Sequence, residues 1–262
     1  MTVTSADSKL ARVSLEIEDA IARIILRNPP LNIIDIPMME ELVSAIADVE
    51  AQPEISVLLL SGAGKSFSAG VDVAAHTPDK VASMLERFHA VVRAVVATKK
   101  VTIAKAHGHC LGGGAELAMV CDFVYASDDA QWGFPEIQLG CFPPVAVTAL
   151  SALIGQKRAA DLILTGRTIG GAQAAAIGLA TKSVAGSEVD GEIEDTVRRL
   201  CALSPAALAI TKKASYAWDA IHFDKGLARA EKVYLDESMK TEDANEGIRA
   251  FIEKRTPVWK GR

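Results

Sequence analysis

The chain has 262 residues, of which 50% are hydrophobic, 23% charged and 5% aromatic. This length suits one large domain with at most a smaller appendage, and the composition excludes disorder over most of the chain. The net charge of -5 has the wrong sign for bulk attraction to nucleic acid. No run of about 18 apolar residues occurs, and residues 1–10 are polar. We therefore predict no membrane span, no secretory signal and a cytoplasmic location.

Strand and helix patterns alternate along the first half of the chain, which predicts an α/β fold with ligand-binding loops at strand ends. The predicted elements are strands over 12–17 and 20–27, a helix from Pro37 to about Gln52, a strand over 56–61, an amphipathic segment over 78–98, a strand over 101–106, a short helix to Met119 and a strand over 122–126.

Helical patterns prevail after about residue 144, with one further strand over 179–184. The predicted helices cover 156–164, 170–177, 188–202, 205–218, 222–237 and 241–254. We divide the chain into a core over 1–200 and a helical region over 201–262.

Two glycine-rich loops follow predicted strands. The first contains Gly64-Lys65-Ser66, but Leu59 stands where a P-loop requires glycine, which excludes that type of nucleotide site. A ligand-binding loop and a plain tight turn both remain open for it. The second loop places three glycines, 112–114, at a helix N-terminus, where free amides and the helix dipole favour developing negative charge.

Two glutamates follow the second loop. Glu116 lies in the first helical turn, where a carboxylate is either catalytic or simply a favourable partner of the helix dipole. Glu136 lies in an apolar, proline-fixed stretch, and such surroundings raise the pKa of a carboxyl group unless it reaches solvent.

Three motifs occur in a fixed order: Phe-Ser-Ala-Gly-Val-Asp at 67–72, Gly-Gly-Gly-Ala-Glu-Leu-Ala at 112–118 and Phe-Pro-Glu-Ile-Gln-Leu-Gly at 134–140. Together they resemble the signature of the crotonase (enoyl-CoA hydratase/isomerase) superfamily, and the similarity extends from about residue 13 to the end. The resemblance implies a spiral of β-β-α units with a C-terminal helical region that serves as trimerisation element or lid. It also implies a trimer or a dimer of trimers, and a coenzyme A thioester as substrate with no separate cofactor.

The resemblance also implies site residues. Backbone amides of Ala69 and Gly113 would bind the thioester oxygen, and Glu116 and Glu136 would hold the attacking water as acid and base, with their order left open. The implied contacts to the acyl-CoA are Ser68, Val71, Asp72, Val73, Gly112, Phe142, Trp259 and Lys260.

A closer similarity links residues 32–35, 73–79, 133–143 and 249–255 to the cyclohexa-1,5-diene-carbonyl-CoA hydratases of anaerobic aromatic degradation. After Gly140, Cys-Phe-Pro-Pro replaces the usual glycine-rich run, which predicts a stiff, narrow acyl pocket. After Asp72, Val73-Ala74 lacks the lysine of many relatives, so Lys260 behind Trp259 is the alternative cation for the coenzyme A phosphates.

Other readings remain. One alternative is a general enoyl-CoA hydratase or isomerase, which uses the same loops. Another is a carbon–carbon bond hydrolase, in which His76 would be the base. A third is an idle CoA-binding protein, which would need no paired glutamates. His107 and His109 have no third ligand nearby, which disfavours a metal site. The four cysteines show no Cys-x-x-Cys spacing, which predicts reduced core thiols.

Overall fold

The computed structural model describes residues 4–5 and 11–262, apart from the side chains of residues 4–5 and 216–221. Most of the polar opening stretch used to predict the lack of a secretory signal lies outside the described residues. The strands are β1 (Thr4–Ser5), β2 (Val13–Glu18), β3 (Ile21–Leu26), β4 (Val57–Gly62), β5 (Val101–Ala106), β6 (His109–Leu111), β7 (Phe123–Ser127), β8 (Gln131–Gly133), β9 (Thr168–Gly170) and β10 (Lys182–Val184).

The α-helices lie between the strands and dominate the second half, as the sequence predicts. They are α1 (Ile36–Glu50), α2 (Val81–Ala97), α3 (Gly113–Met119), α4 (Pro144–Ile154), α5 (Gln156–Thr165), α6 (Gly171–Ala176), α7 (Val189–Cys201), α8 (Pro205–Asp236) and α9 (Glu242–Ile252). No helix within the described residues is both long and apolar enough to cross a membrane.

Two sheets form the framework. The larger has the order β1-β2-β3-β4-β5-β7-β10, and the smaller has the order β6-β8-β9. β2 and β3 form the predicted antiparallel hairpin, whereas β3, β4, β5, β7 and β10 run parallel. The central strand β4 reads Val-Leu-Leu-Leu and is buried on both faces, as expected where helices cover a parallel sheet.

Helix α1 shows how local sequence sets an element. The Asp35 side chain accepts a hydrogen bond from Met38 N at 3.0 Å, and Pro37 stands in the first turn, where no amide is needed. One face of the helix is buried in the main core; its residues are Met38, Met39, Leu42, Ala45, Ile46 and Val49.

One predicted boundary is wrong, and helix α4 and the strands of the smaller sheet were not predicted. Helix α4 was not predicted, because its start lies in the Pro143-Pro144 pair that we interpreted only as a stiff segment. The three-residue strands of the smaller sheet are too short for a periodic pattern. The predicted break between 218 and 222 is wrong: α8 is continuous, and that stretch contains no glycine or proline to end it.

Candidate active site

A buried asparagine fixes the first glycine-rich loop. Asn32 is fully buried with a φ of 50°, and its Nδ2 donates to the carbonyl oxygens of Ala63 and Ser66 at 2.9 and 2.8 Å. Ser68 Oγ in turn donates to the Asn32 carbonyl at 2.8 Å and accepts from Gly70 N at 3.1 Å. The loop that leads to residue 71 is therefore rigid before any ligand binds.

The amide that faces the site from this loop belongs to Val71, not to Ala69. The Ala69 N–H donates to the Leu31 carbonyl at 2.9 Å, so this predicted oxyanion donor is already engaged. Val71 pairs with Ile34 in a parallel bridge. The Ile34 N–H donates to the carbonyl of the residue before Val71, and the Ile34 carbonyl accepts from the N–H of the residue after it. The bridge turns the Val71 N–H away from Ile34, and it has no acceptor among the described residues.

The second loop brings a matching amide next to the first. Gly112 has a φ of 51°, its N–H donates to the Gly133 carbonyl at 2.9 Å, and it is the N-cap residue of α3. The following Gly113 N–H is the first of the helix and has no intrahelical acceptor. A Cβ on Gly113 would lie 2.6 Å from Val71 Cγ2, so the two loops touch at this point. Two amides without an acceptor therefore lie on adjoining loops, and such a pair of donors is what an oxyanion site needs.

Glu116 projects from α3 into the interior and is 2% exposed. Its Oε1 accepts hydrogen bonds from Val145 N at 2.8 Å and Ala146 N at 2.9 Å, the first turn of α4. Burial raises the pKa of Glu116 from 4.5 to about 7, and the two backbone hydrogen bonds oppose this rise. The group is therefore more than a partner of its own helix dipole.

Glu136 follows Pro135 in a short 3₁₀ helix, Pro135–Leu139, and lines the same cavity as Glu116, with whose charge it interacts. Its Oε2 is buried and has no hydrogen-bond partner among the described residues. A Cβ on Gly112 would lie 2.8 Å from its Oε1, which places the carboxyl against the second loop. Burial first and the charge of Glu116 second raise the pKa of Glu136 well above its ordinary value, as the sequence predicts.

A cavity of about 80 Å³ lies between the two loops and the two carboxyl groups. Val71, Val73, Gly112 and Phe142, four of the predicted acyl-CoA contacts, line it, and their contact with substrate stays a prediction. Tyr234 of α8 also lines it; the sequence patterns gave no signal for this residue, which lies about a hundred positions beyond the motifs.

His76 lines the same cavity and is 8% exposed. Its Nδ1 lies 3.0 Å from the Asp72 carbonyl, which can only accept, so Nδ1 carries the proton. Burial lowers the pKa of His76. The imidazole is therefore neutral at neutral pH, with Nε2 as an acceptor.

Four predicted contacts to the acyl-CoA do not line the cavity: Ser68, Asp72, Trp259 and Lys260. The Ser68 side chain is used within its loop, and Asp72 accepts from Ala74 N at 3.0 Å. Lys260 Nζ lies 2.8 Å from Glu242 Oε2, and Trp259 lies with Lys260 beside α9. Among the described residues, no group of three or more His, Cys, Asp or Glu side chains is placed to hold a metal ion.

Comparisons with known proteins identify the family of the chain. Residues 16–262 match the enoyl-CoA hydratase/isomerase family. The chain is 34% identical over 260 residues to the cyclohexa-1,5-dienecarbonyl-CoA hydratase of Thauera aromatica, covering 99% of this chain and 100% of that protein. It is 33% identical to a probable enoyl-CoA hydratase of Bacillus subtilis, covering 95% and 98%. The crystal structure of an enoyl-CoA hydratase from Mycobacterium avium subsp. paratuberculosis superposes with a TM-score of 0.86 at 27% identity, covering 96% and 100%. The chain therefore belongs to the enoyl-CoA hydratase/isomerase family.

Proposed function

We propose that this protein adds water to a conjugated acyl-CoA thioester, and that its substrate is cyclohexa-1,5-diene-1-carbonyl-CoA. The single observation that carries the proposal is that Val71, Gly113, Glu116 and Glu136 line one small cavity, with the charges of the two carboxyl groups interacting. An idle CoA-binding protein has no need for two buried carboxyl groups, whose desolvation costs stability.

The two glutamates have different surroundings, which supports different roles. Two amides stabilise the carboxylate form of Glu116, so it is the base that removes a proton from water. Glu136 has only its own backbone amide as a donor and lies beside the Glu116 charge, so it keeps its proton and is the acid. Because the two groups are coupled, they titrate as a pair.

The proposed reaction balances with these two groups. As Glu116 takes the water proton, the oxygen bonds to the β-carbon and the electron pair moves to the thioester oxygen. The amides of Val71 and Gly113 stabilise that enolate, and one such donor contributes roughly 3 kcal/mol. Glu136 then protonates carbon, and proton return from Glu116 to Glu136 through solvent restores the site.

The small size of the cavity supports a compact acyl group such as the ring over a long chain. A volume of about 80 Å³ is far below the roughly 300 Å³ of the smallest usual ligand pockets, so the cavity holds only the reacting group. Phe142 and Tyr234 border it with aromatic rings. In the ring diene, addition at the β-carbon gives a dienolate, and protonation at its far end keeps the product conjugated.

A second candidate is a general enoyl-CoA hydratase acting on short linear chains, which the similarity to the Bacillus subtilis protein favours. The test measures kcat/KM for the cyclic dienoyl-CoA and for crotonyl-CoA from the loss of conjugated absorbance. A higher value for the ring supports the first candidate, and a higher value for crotonyl-CoA supports the second. Binding of both without turnover would refute hydration. Trimeric or hexameric assembly, cytoplasmic location and independence of a separate cofactor stay predictions.

A further inference from the structure

Tyr234 enters the active site from the C-terminal helical region. One face of helix α8 packs inward. Its residues follow one another at intervals of four, three and four positions: Phe223, Leu227, Ala230 and Tyr234. Tyr234 is 2% exposed and reaches the cavity beside Glu116 and Glu136. The end of this face is therefore part of the acyl pocket rather than of the general core.

Tyr234 forms a wall with the segment that replaces the usual glycine-rich run. Its ring meets Phe142 edge to face, with centroids 5.2 Å apart and planes at 72°. Its hydroxyl lies near enough to the Cys141 thiol for the two groups to interact, and that thiol donates to the Glu136 carbonyl at 3.4 Å. Phe142 and Cys141, the two residues that meet Tyr234, therefore lie in the same short segment, and Cys141 bonds to the backbone of the proposed acid.

A polar clamp fixes the helix that carries Tyr234. One turn earlier, Glu231 Oε1 lies 2.6 Å from His89 Nδ1 and 2.8 Å from an Arg93 guanidinium nitrogen, both on α2. His89 is fully buried and adjoins Phe88, which lines the cavity. On the other side, a Cβ on Gly226 would lie 2.7 Å from Thr148 Cγ2, so α8 also packs closely on α4. The helix has little freedom to withdraw the tyrosine.

Building on the hydratase function proposed above, we infer that Tyr234 is the specificity-determining residue that restricts the acyl group to a ring or a short chain, and that Glu231 positions it. An extended chain needs the volume that the Tyr234 ring fills. Moving the ring would break its contacts with Phe142 and Cys141 and disturb the clamp. A compact acyl group needs no such movement.

The experiment compares Tyr234→Ala with Tyr234→Phe, which keeps the ring. The readout is the ratio of kcat/KM for trans-2-decenoyl-CoA to that for crotonyl-CoA. Each buried methylene contributes about fourfold to affinity, so opening the wall in Tyr234→Ala is expected to raise this ratio by at least about tenfold. Tyr234→Phe is expected to keep the ratio within about twofold of the wild type, because only the thiol contact is lost.

A second readout separates this inference from the proposed reaction. Dissociation constants of butyryl-CoA and decanoyl-CoA, measured by calorimetry, give the same chain-length preference without turnover. A wild type that hydrates neither the cyclic dienoyl-CoA nor crotonyl-CoA would refute the proposed function, and the binding ratio in Tyr234→Ala would still decide the inference. An unchanged ratio in a folded Tyr234→Ala protein would overturn it.

Two further variants keep the inference testable if Tyr234→Ala does not fold. Phe142→Leu removes the other ring of the wall, and Glu231→Ala releases the clamp without touching the cavity. Both are expected to raise the decanoyl-to-butyryl binding ratio, by less than the loss of the tyrosine ring. A Glu231→Ala protein with lowered thermal stability but an unchanged ratio would show that the clamp is only structural and would refute its positioning role.

Discussion

Replacing Glu116 by glutamine should abolish most activity and yet stabilise the protein. The glutamine side-chain oxygen can still accept the two hydrogen bonds from Val145 N and Ala146 N, so the geometry of α3 and α4 is kept. The base is lost, and a positioned base contributes roughly a hundred- to ten-thousandfold to rate. Turnover should fall by that factor.

The magnitude of the stability change follows from the pKa. Burial raises the pKa of Glu116 from 4.5 to about 7, which corresponds to about 3 kcal/mol. Because the folded pKa is the higher one, the unfolded chain loses its proton first. The free energy of unfolding of the wild type therefore falls as the pH rises from 4.5 to about 7, and the full cost is present above 7. Glutamine carries no charge, so the variant does not lose stability from burying a carboxylate.

Thermal unfolding of both proteins between about pH 4.5 and pH 8 tests this reasoning. Glu116→Gln should melt close to the wild type at the acid end. Its melting temperature should exceed that of the wild type by up to roughly 6–12 °C at the alkaline end. A difference that does not grow with pH would refute the raised pKa, and wild-type turnover in the variant would refute the role of Glu116 as base.

Three further predictions concern the rest of the site. Glu136→Gln should lower turnover at least about a hundredfold with little change in the dissociation constant of a saturated acyl-CoA. The pH profile of kcat/KM should be bell-shaped, rising as Glu116 ionises near pH 7 and falling as Glu136 loses its proton; a flat profile through this range would contradict the pair. Asn32→Ala leaves the Ala63 and Ser66 carbonyls without their donor, so the free energy of unfolding, measured by urea titration, should fall by about 2–4 kcal/mol. Asn32→Asp also lacks the donor, and a smaller loss of stability in that variant would contradict the donor role of Asn32.

Local patterns were sufficient to predict much of the framework. The hairpin of β2 and β3, helix α1 and strand β5 all follow from periodicity within one element and its flanking breakers. The smaller sheet could not be predicted in this way, because each of its strands has only three residues and depends on partners far along the chain. Helix α4 begins at a proline pair, which by itself also suits a rigid loop.

The site residues likewise differ in whether local sequence or long-range packing determines them. The two glutamates lie in motifs whose order carries the resemblance, so they could be named before any fold was known. Which amide of the first loop faces the cavity depends on the bridge between Ile34 and Val71, a long-range contact, and this is why Ala69 was the wrong choice. Tyr234 reaches the cavity only through the packing of α8 against α2 and α4.

The most direct test of the account is a crystal structure with a bound acyl-CoA. We expect the thioester oxygen to accept hydrogen bonds of about 3 Å from the amides of Val71 and Gly113, with the β-carbon facing Glu116 and Glu136. A thioester oxygen bound away from these amides, or an acyl group that leaves the two carboxyl groups unapproached, would contradict the account.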